Sequence, residues 1–380
     1  MDTKYRYDRR QLMTLAFVSS LAPGIRLMPK YCAEHGGGAG WLAPVIALPA
    51  LMLFVALLSA FMDMRKAGEG LGELILRTCG RGFGCFALSF AAAFLLFCCG
   101  FILRSGAERF INTVYPAASP WPFVFVMLTL GLIAAAGPDH ALVRSARIFA
   151  PVIVSVLIVV FVFTLPDVDP GHILPVTQAE PRGLMKAALP TFEIYAGILT
   201  YAAFFEGRSM KLSGRTRAYM LWLLPVIALL CVLCVCAIGT YGAPLTARFL
   251  HPFFTMIRNV TLFRTIEHIE AIVVALWVLP DFVIFTMMLA AASRALRLVF
   301  GFKPESGCVK MPDMKNGRWL IPACAAVSFA AALLIDRDSG RLKLYSKTLV
   351  PLFNLAAVFV LVPLCFAVGK IRERAFRNEE

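Results

Sequence analysis

The sequence predicts an all-α integral membrane protein of about ten transmembrane helices, and three observations carry that expectation. Of 380 residues, 59% are hydrophobic and only 16% charged, where soluble domains average roughly a quarter charged; mean hydropathy is +0.77. Apolar runs of the roughly 20 residues needed to cross a hydrocarbon core recur along the whole chain. The runs are continuous and lack alternation, which selects helices over barrel strands among the backbones that satisfy their own hydrogen bonds in lipid.

Apolar length and flanking charge place the spans, in order, near residues 11–33, 41–62, 83–104, 121–137, 146–165, 186–206, 218–241, 266–297, 319–335 and 347–369. The first follows the basic stretch Lys4, Arg6, Arg9 and Arg10, and the second starts after the turn Gly36-Gly37-Gly38. Arg65, Lys66, Arg77 and Arg81 separate the second from the third. The turn Ser119-Pro120-Trp121 opens the fourth, and Arg144 and Arg147 lead into the fifth. A polar segment, 166–185, precedes the sixth. Arg208, Lys211, Arg215 and Arg217 introduce the seventh, while Arg294, Arg297, Lys303, Lys310, Lys315 and Arg318 divide the eighth from the ninth. Lys370, Arg372, Arg374 and Arg377 follow the tenth.

These groups hold most of the 37 Lys and Arg residues and fall on alternate loops, so the positive-inside rule puts that side and both termini in the cytoplasm. The net charge of +14 thus reports orientation in a bilayer, and no nucleic-acid partner is expected. The first span resembles a signal peptide, but Arg26, Lys30 and nine further spans follow with no small-residue cleavage site, so it is read as retained. Most of the eleven cysteines sit inside apolar spans, and the Cys231-x-x-Cys234 pair lacks partnering His or Cys loops, so packing is expected rather than metal binding. Phosphate-cradling loops, zinc-ligand spacing and a nucleophile elbow are missing from the sequence. The chain is read as a non-enzyme with no catalytic residues, metal or cofactor.

Ten helices with both ends on one side divide into 5+5, and because five is odd the second half starts from the opposite face: an inverted repeat in one transmembrane domain. The expected parts are a first repeat (1–165), an extracytoplasmic loop (166–185), a second repeat (186–369) and a cytoplasmic tail (370–380). In such folds the first helix of each half is interrupted to hold a solute. Helix 1 carries Ala22-Pro23-Gly24 and Pro29, and helix 6 carries Pro190, Glu193 and Gly197. Pro removes an amide donor and Gly tolerates non-helical dihedrals, so both helices are expected to be broken.

The candidate substrate-binding residues are Ala22, Pro23, Gly24 and Ile25 of helix 1, Glu193, Tyr195 and Gly197 of helix 6, and Asp281 of helix 8. Glu193 shares a stripe with Gly197, Thr200 and Tyr201; a charge at that depth needs a partner, a proton or water, unless it reaches the outer headgroups. Asp281 follows Pro280 and lies on one face with Glu270 and Trp277, positioned for a cation or amine contact or for helix packing. Arg26, just past the helix 1 proline, can guard a solute entrance or bind a carboxylate. Arg264, Glu267 and His268 read as a solvated cluster, and Arg104 with Glu108 as an i, i+4 pair.

Several segments together resemble the GerAB-type spore germination proteins, B subunits of germinant receptors within the amino-acid/polyamine/organocation permease superfamily. They are Leu165-Pro166-Asp167-Val168-Asp169, Leu174-Pro175-Val176 and Leu184-Met185-Lys186-Ala187-Ala188-Leu189-Pro190. Leu103-Arg104, Phe110-Ile111, Arg144, Pro151, Ile257-Arg258, Ile269-Glu270-Ala271 and Ala275-Leu276-Trp277-Val278 follow in the family's order. The chain departs where the family shows Gly-x-Gly-Ile-Leu, having Ala22-Pro23-Gly24-Ile25-Arg26, and it has Leu199 where the family often carries Glu.

The resemblance implies a LeuT-like, amino-acid-permease fold in the inner membrane of a bacterial spore. It also implies a pocket for a small nutrient such as an amino acid, and as partners a germinant receptor A subunit and a lipoprotein C subunit. A proton- or sodium-coupled amino-acid transporter, with Glu193 or Asp281 as coupling carboxylate, is the competing expectation. An assembly subunit without a working pocket is a third.

Overall fold

The computed structural model describes residues 7–66, 69–114, 118–176, 180–206, 215–249, 251–259, 269–302, 317, 319–335 and 345–377. Among these, ten long helices follow the expected spans. They are α1 (Arg9–Gly36), α2 (Ala43–Asp63), α3 (Leu71–Val114), α4 (Trp121–Ala136), α5 (Asp139–Thr164), α6 (Pro181–Ala203), α7 (Arg215–Tyr241), α8 (Ile269–Val299) and α9 (Leu320–Ile335). The tenth, α10, is a rod of three consecutive stretches, Val350–Phe359, Val360–Leu364 and Cys365–Arg377, the middle one a π turn. Six helical stretches are long and apolar enough to cross a membrane, the first of them, Arg9–Asp63, holding both α1 and α2; α4 and α9 are shorter apolar helices.

Burial sorts the helices into an inner and an outer set. On α1 most residues from Leu12 to Ala33 are buried, and on α6 an unbroken run from Glu193 to Ala203 is buried. A helix apolar or buried all round belongs to the interior of a bundle. By contrast α4 and α5 turn large apolar side chains outward, including Phe125, Ile133, Ile148 and Val162, the pattern of a lipid-facing surface. The inner set α1, α3, α6 and α8 therefore surrounds the bundle centre, with α10 packed beside α3 and α6.

The helix starts are legible in chemistry. Asp8 caps α1, its side chain accepting from the amide of Arg9 while Gln11 reaches back to the Asp8 amide, which satisfies amides that the first turn leaves without partners. Pro lies in the first turn of α2, α4 and α6, where its missing N–H costs nothing.

One expectation is corrected. α1 and α6 are not broken in the structure: Pro23 and Pro29 lie inside a continuous α1, and Pro190 inside a continuous α6. Each Pro removes one rung of the helical ladder, but neighbours close-packed around α1 hold its axis, and Gly24 is not among the positive-φ glycines. A true backbone break falls instead at Gly80 in α3 (φ 77, ψ 168), a conformation that L side chains avoid. It separates a basic-end helix, beginning at Leu71, from the span proper.

The end of the bundle holding Arg9 is closed by ionic contacts. Glu206, just past α6, has a fully buried side chain and meets Arg9 at 3.1 Å, Arg215 at 2.9 Å and Arg65 at 3.8 Å. Arg215 also pairs with Asp63, and Arg294 of α8 pairs with Asp139 of α5. Arg294 donates to the Phe204 carbonyl at 3.0 Å and lies over the Phe205 ring, while the Tyr7 hydroxyl donates to the Phe205 carbonyl.

At the α3–α9 crossing the backbones touch: a Cβ on Gly100 would stand 2.7 Å from the Ser328 carbonyl oxygen and from Ala331 Cβ. Gly100→Val is expected to cost about 1–3 kcal/mol through overpacking, read as a lower thermal midpoint in detergent. Gly82→Ala, with no atom within 4 Å of its Cβ position, is expected to leave the midpoint in place.

Candidate ligand site in the bundle

Helical spacing converges five helices on one cavity with about 770 Å³ of empty space, counted to its open mouth. α1 contributes Ala22, Pro23, Arg26 and Leu27 at i, i+1, i+4 and i+5; α3 contributes Phe94, Cys98, Phe101 and Ile102. α6 contributes Pro190, Glu193, Ile194, Ile198 and Tyr201, α8 contributes Asp281, Ile284 and Met288, and α10 contributes Val350, Pro351 and Asn354. The wall is mostly apolar with a few convergent polar groups, the make-up of a small-molecule pocket.

On one wall the polar groups form a chain. The Tyr201 hydroxyl donates to Asn354 Oδ1 at 2.7 Å, and Asn354 Nδ2 donates to the Glu193 carbonyl at 2.9 Å and to its Oε1 at 3.0 Å. Gly197 makes room for this, since a Cβ there would lie 2.7 Å from Asn354 Oδ1. Glu193 is 3% exposed, so it faces the bundle interior and not the headgroups.

Two guanidinium groups stand nearby, Arg26 on the wall and Arg109 behind it. Arg109 of α3 forms a buried ion pair with Asp281 and lies over the Phe254 ring. Arg26, 6% exposed, donates to Ser105 Oγ at 2.6 Å and sits 5.1 Å from the centroid of the Phe101 ring.

Of the residues singled out from sequence, Ala22, Pro23, Glu193 and Asp281 line the cavity. Gly197 shapes it through Asn354. Gly24, Ile25 and Tyr195 do not line it: a Cβ on Gly24 would meet the Tyr195 hydroxyl at 2.5 Å, Tyr195 packs beside Trp222, and Ile25 is fully buried. Trp277 packs against Phe253 and Phe254. Arg264, Glu267 and His268 fall outside the described residues, as does the side chain of Glu270.

Sequence reasoning missed Arg109, Ser105 and Asn354. The available signal was Asn354 alone in the apolar run of helix 10, and a second arginine on α3 beyond Arg104.

Between α7 and α8 lie the short helices Ala243–Arg248 and Pro252–Asn259. His251, at the second of these, has a buried Nδ1 with no hydrogen-bond partner. Burial, and then the positive charges of Arg109, Arg26 and Lys30, push its ring down to about 3, so it is neutral at pH 7.

An all-helical bundle with a mostly apolar central cavity that carries a few convergent polar groups is the form of a permease-like membrane protein. The chain belongs to the spore germination protein family, of the spore permease type, whose profile matches residues 7–338. Its fold is shared with a Na+-coupled sialic acid symporter in a substrate-bound outward-open state, at TM-score 0.65 and 13% identity over 94% of this chain and 78% of the other. It is shared also with MhsT in complex with L-phenylalanine, at TM-score 0.55 and 14% identity over 95% of this chain and 100% of the other. No curated protein sequence matches the chain significantly.

Two measurements check the electrostatics. Arg109→Leu leaves Asp281 buried and unmatched and is expected to destabilise by roughly 3–5 kcal/mol, whereas Arg109→Leu with Asp281→Leu recovers most of that; thermal melts of the purified variants decide it. His251 has a folded pKa below its ordinary value near 6.5, so the unfolded chain takes up the extra proton first as pH falls. Stability is therefore lost from about pH 6.5 downward, and the thermal midpoint of His251→Gln is expected to fall less between pH 7 and 5 than that of the wild type.

Proposed function

We propose that this chain is the B-type subunit of a spore germinant receptor, binding a small nutrient such as an amino acid in the central cavity and passing that event to its partners. The observation that carries the reading is a buried cavity with opposed charged groups, Arg26 and Glu193, in a member of the spore germination family. Its setting is the inner membrane of a bacterial spore, with both termini cytoplasmic. The clustering of Lys and Arg on alternate loops supports that orientation. The partners are a germinant receptor A subunit and a lipoprotein C subunit. Binding triggers germination only if the nutrient favours one conformation over another, since differential affinity alone shifts such an equilibrium.

A second reading has its own support: the solved structures sharing the fold include a Na+-coupled symporter. On that reading the same cavity moves an amino acid across the membrane with a proton or sodium ion, and Glu193 or Asp281 serves as the coupling carboxylate.

Deleting the gene in the native spore former and scoring cation release across an amino-acid panel tests the first reading. Response to a subset of nutrients is expected to disappear and to be restored by the wild type. Glu193→Ala is expected to fail at the same membrane level. Gradient-driven accumulation of an amino acid by the purified chain in vesicles, abolished by Glu193→Gln, would replace the receptor by the transporter.

A further inference from the structure

We infer that Cys79 and Cys365 form a reversible thiol-oxidation site, a dithiol that a hydroperoxide converts to a disulfide fastening the basic-end helix of α3 to α10. The pair lies apart from the central cavity, whose wall includes neither residue.

Two irregularities of the backbone flank the sulfurs. Cys79 is the last residue before Gly80, where α3 breaks (φ 77, ψ 168). Cys365 is the first residue after the π turn Val360–Leu364 of α10, and its thiol donates to the Val360 carbonyl at 3.0 Å. The two helices touch closely here. Gly369 lies one turn beyond Cys365 on the same face, and a Cβ there would stand 3.2 Å from Thr78 Cβ. Cys79 Sγ lies 3.7 Å from the Cys365 carbonyl oxygen, and the two thiols are hydrogen-bonded to each other. A disulfide needs adjoining backbones with the sulfurs in contact, and this crossing supplies both.

The two cysteines differ in a way that gives each its part. Cys79 is half-buried, so a small oxidant reaches it, whereas Cys365 is fully buried. Arg372 brings positive charge to Cys79, its Nη1 lying 3.2 Å from where a Cβ on Gly80 would be. A cation and a hydrogen-bond donor beside a sulfur favour the thiolate, which is the nucleophile. Cys79 is therefore the attacking sulfur and Cys365 the resolving one.

The Cys79 thiolate takes one oxygen from the hydroperoxide as the O–O bond breaks; with hydrogen peroxide the products are a sulfenic acid and water. Cys365 then attacks the Cys79 sulfur. The S–O bond breaks, the S–S bond forms, and the oxygen departs as water with the Cys365 proton. In total two thiols lose two electrons and two protons, and one peroxide becomes two waters. Exchange with an external dithiol restores both thiols.

Two other sets of cysteines serve as comparisons. Cys32 of α1 and Cys234 of α7 are also in contact, but both are fully buried and shielded from a polar oxidant. Cys85 is half-buried like Cys79 and stands beyond the Gly80 break.

The test treats the full-length chain in lipid nanodiscs with hydrogen peroxide, blocks remaining thiols with N-ethylmaleimide in denaturant, digests without reductant and reads the peptides by mass spectrometry. The expected product is a peptide joining Cys79 to Cys365, lost on dithiothreitol. Cys79 is expected to oxidise about 10-fold faster than Cys85. In Cys365→Ser the cross-link is lost and Cys79 accumulates as a sulfenic acid that dimedone traps; in Cys79→Ser the Cys365 thiol stays free. The thermal midpoint of the oxidised wild type is expected to rise and to return with dithiothreitol, because a disulfide that suits the native packing constrains the unfolded chain. Both sulfurs still carrying N-ethylmaleimide after peroxide overturns the inference. So does Cys79 oxidising no faster than Cys85, a cross-link of Cys32 to Cys234 in place of this one, or a cross-link that lowers the midpoint.

Discussion

A charge taken into the interior of a bilayer protein must be met there by another group, because neither lipid nor water is at hand to solvate it. That constraint organises both regions of the bundle described above. At the basic end it is met by a cluster of ion pairs. Glu206 has no exposed side-chain surface, and its carboxylate draws Arg9 from the start of α1, Arg65 from just beyond α2 and Arg215 from the start of α7. Removing Glu206 leaves three arginines crowded without the carboxylate they share, so these helix ends are held together as a set. Arg294 extends the set to α5 through Asp139 and to the end of α6 through the Phe204 carbonyl.

In the cavity the same constraint is met only in part. Arg109 and Asp281 tie α3 to α8 and satisfy each other, whereas Glu193 and Arg26 face the cavity with neutral partners. The two regions are joined mechanically by α6, which carries Glu193 near its middle and runs without interruption to the turn holding Glu206. A tilt of α6 at the cavity is a tilt at the ionic knot. A solute that changes how Glu193 is satisfied therefore acts on contacts roughly two dozen ångströms of helix or less away, given 1.5 Å of rise per residue.

The sequence carried the helices well and the site unevenly, for physical reasons. Spans are legible because the cost of exposing polar backbone to lipid demands long apolar runs, and each helix meets that demand locally. Glu193 and Asp281 stood out because an acidic residue inside such a run is costly wherever it points. Arg109 and Glu206 did not, since each lies near a helix end where the headgroups supply an equally good local explanation; only the folded bundle shows that they are buried. Asn354 is uncharged, so its lone position raised no alarm, and its role depends on Gly197 across a helix pair that no local pattern links. Pro23-Gly24 misled because Pro and Gly are also how a continuous helix obtains close contacts. Here Gly24 admits the Tyr195 hydroxyl, and the helix continues.

The departures from the family pattern become intelligible as a pair. Leu199, where relatives often carry Glu, is fully buried and does not line the cavity, so a carboxylate at that position in this bundle would face packed apolar side chains. Glu193, six positions earlier on α6, does line it and has an amide donor waiting on α10. Arg26, where the family pattern has Leu, brings a guanidinium to the same space and is held there by Ser105 and Phe101 of α3. Either change alone would add a single charge of one sign to the cavity. Together they add one of each sign, a combination that the bundle holds with neutral donors, acceptors and an aromatic face sharing the load.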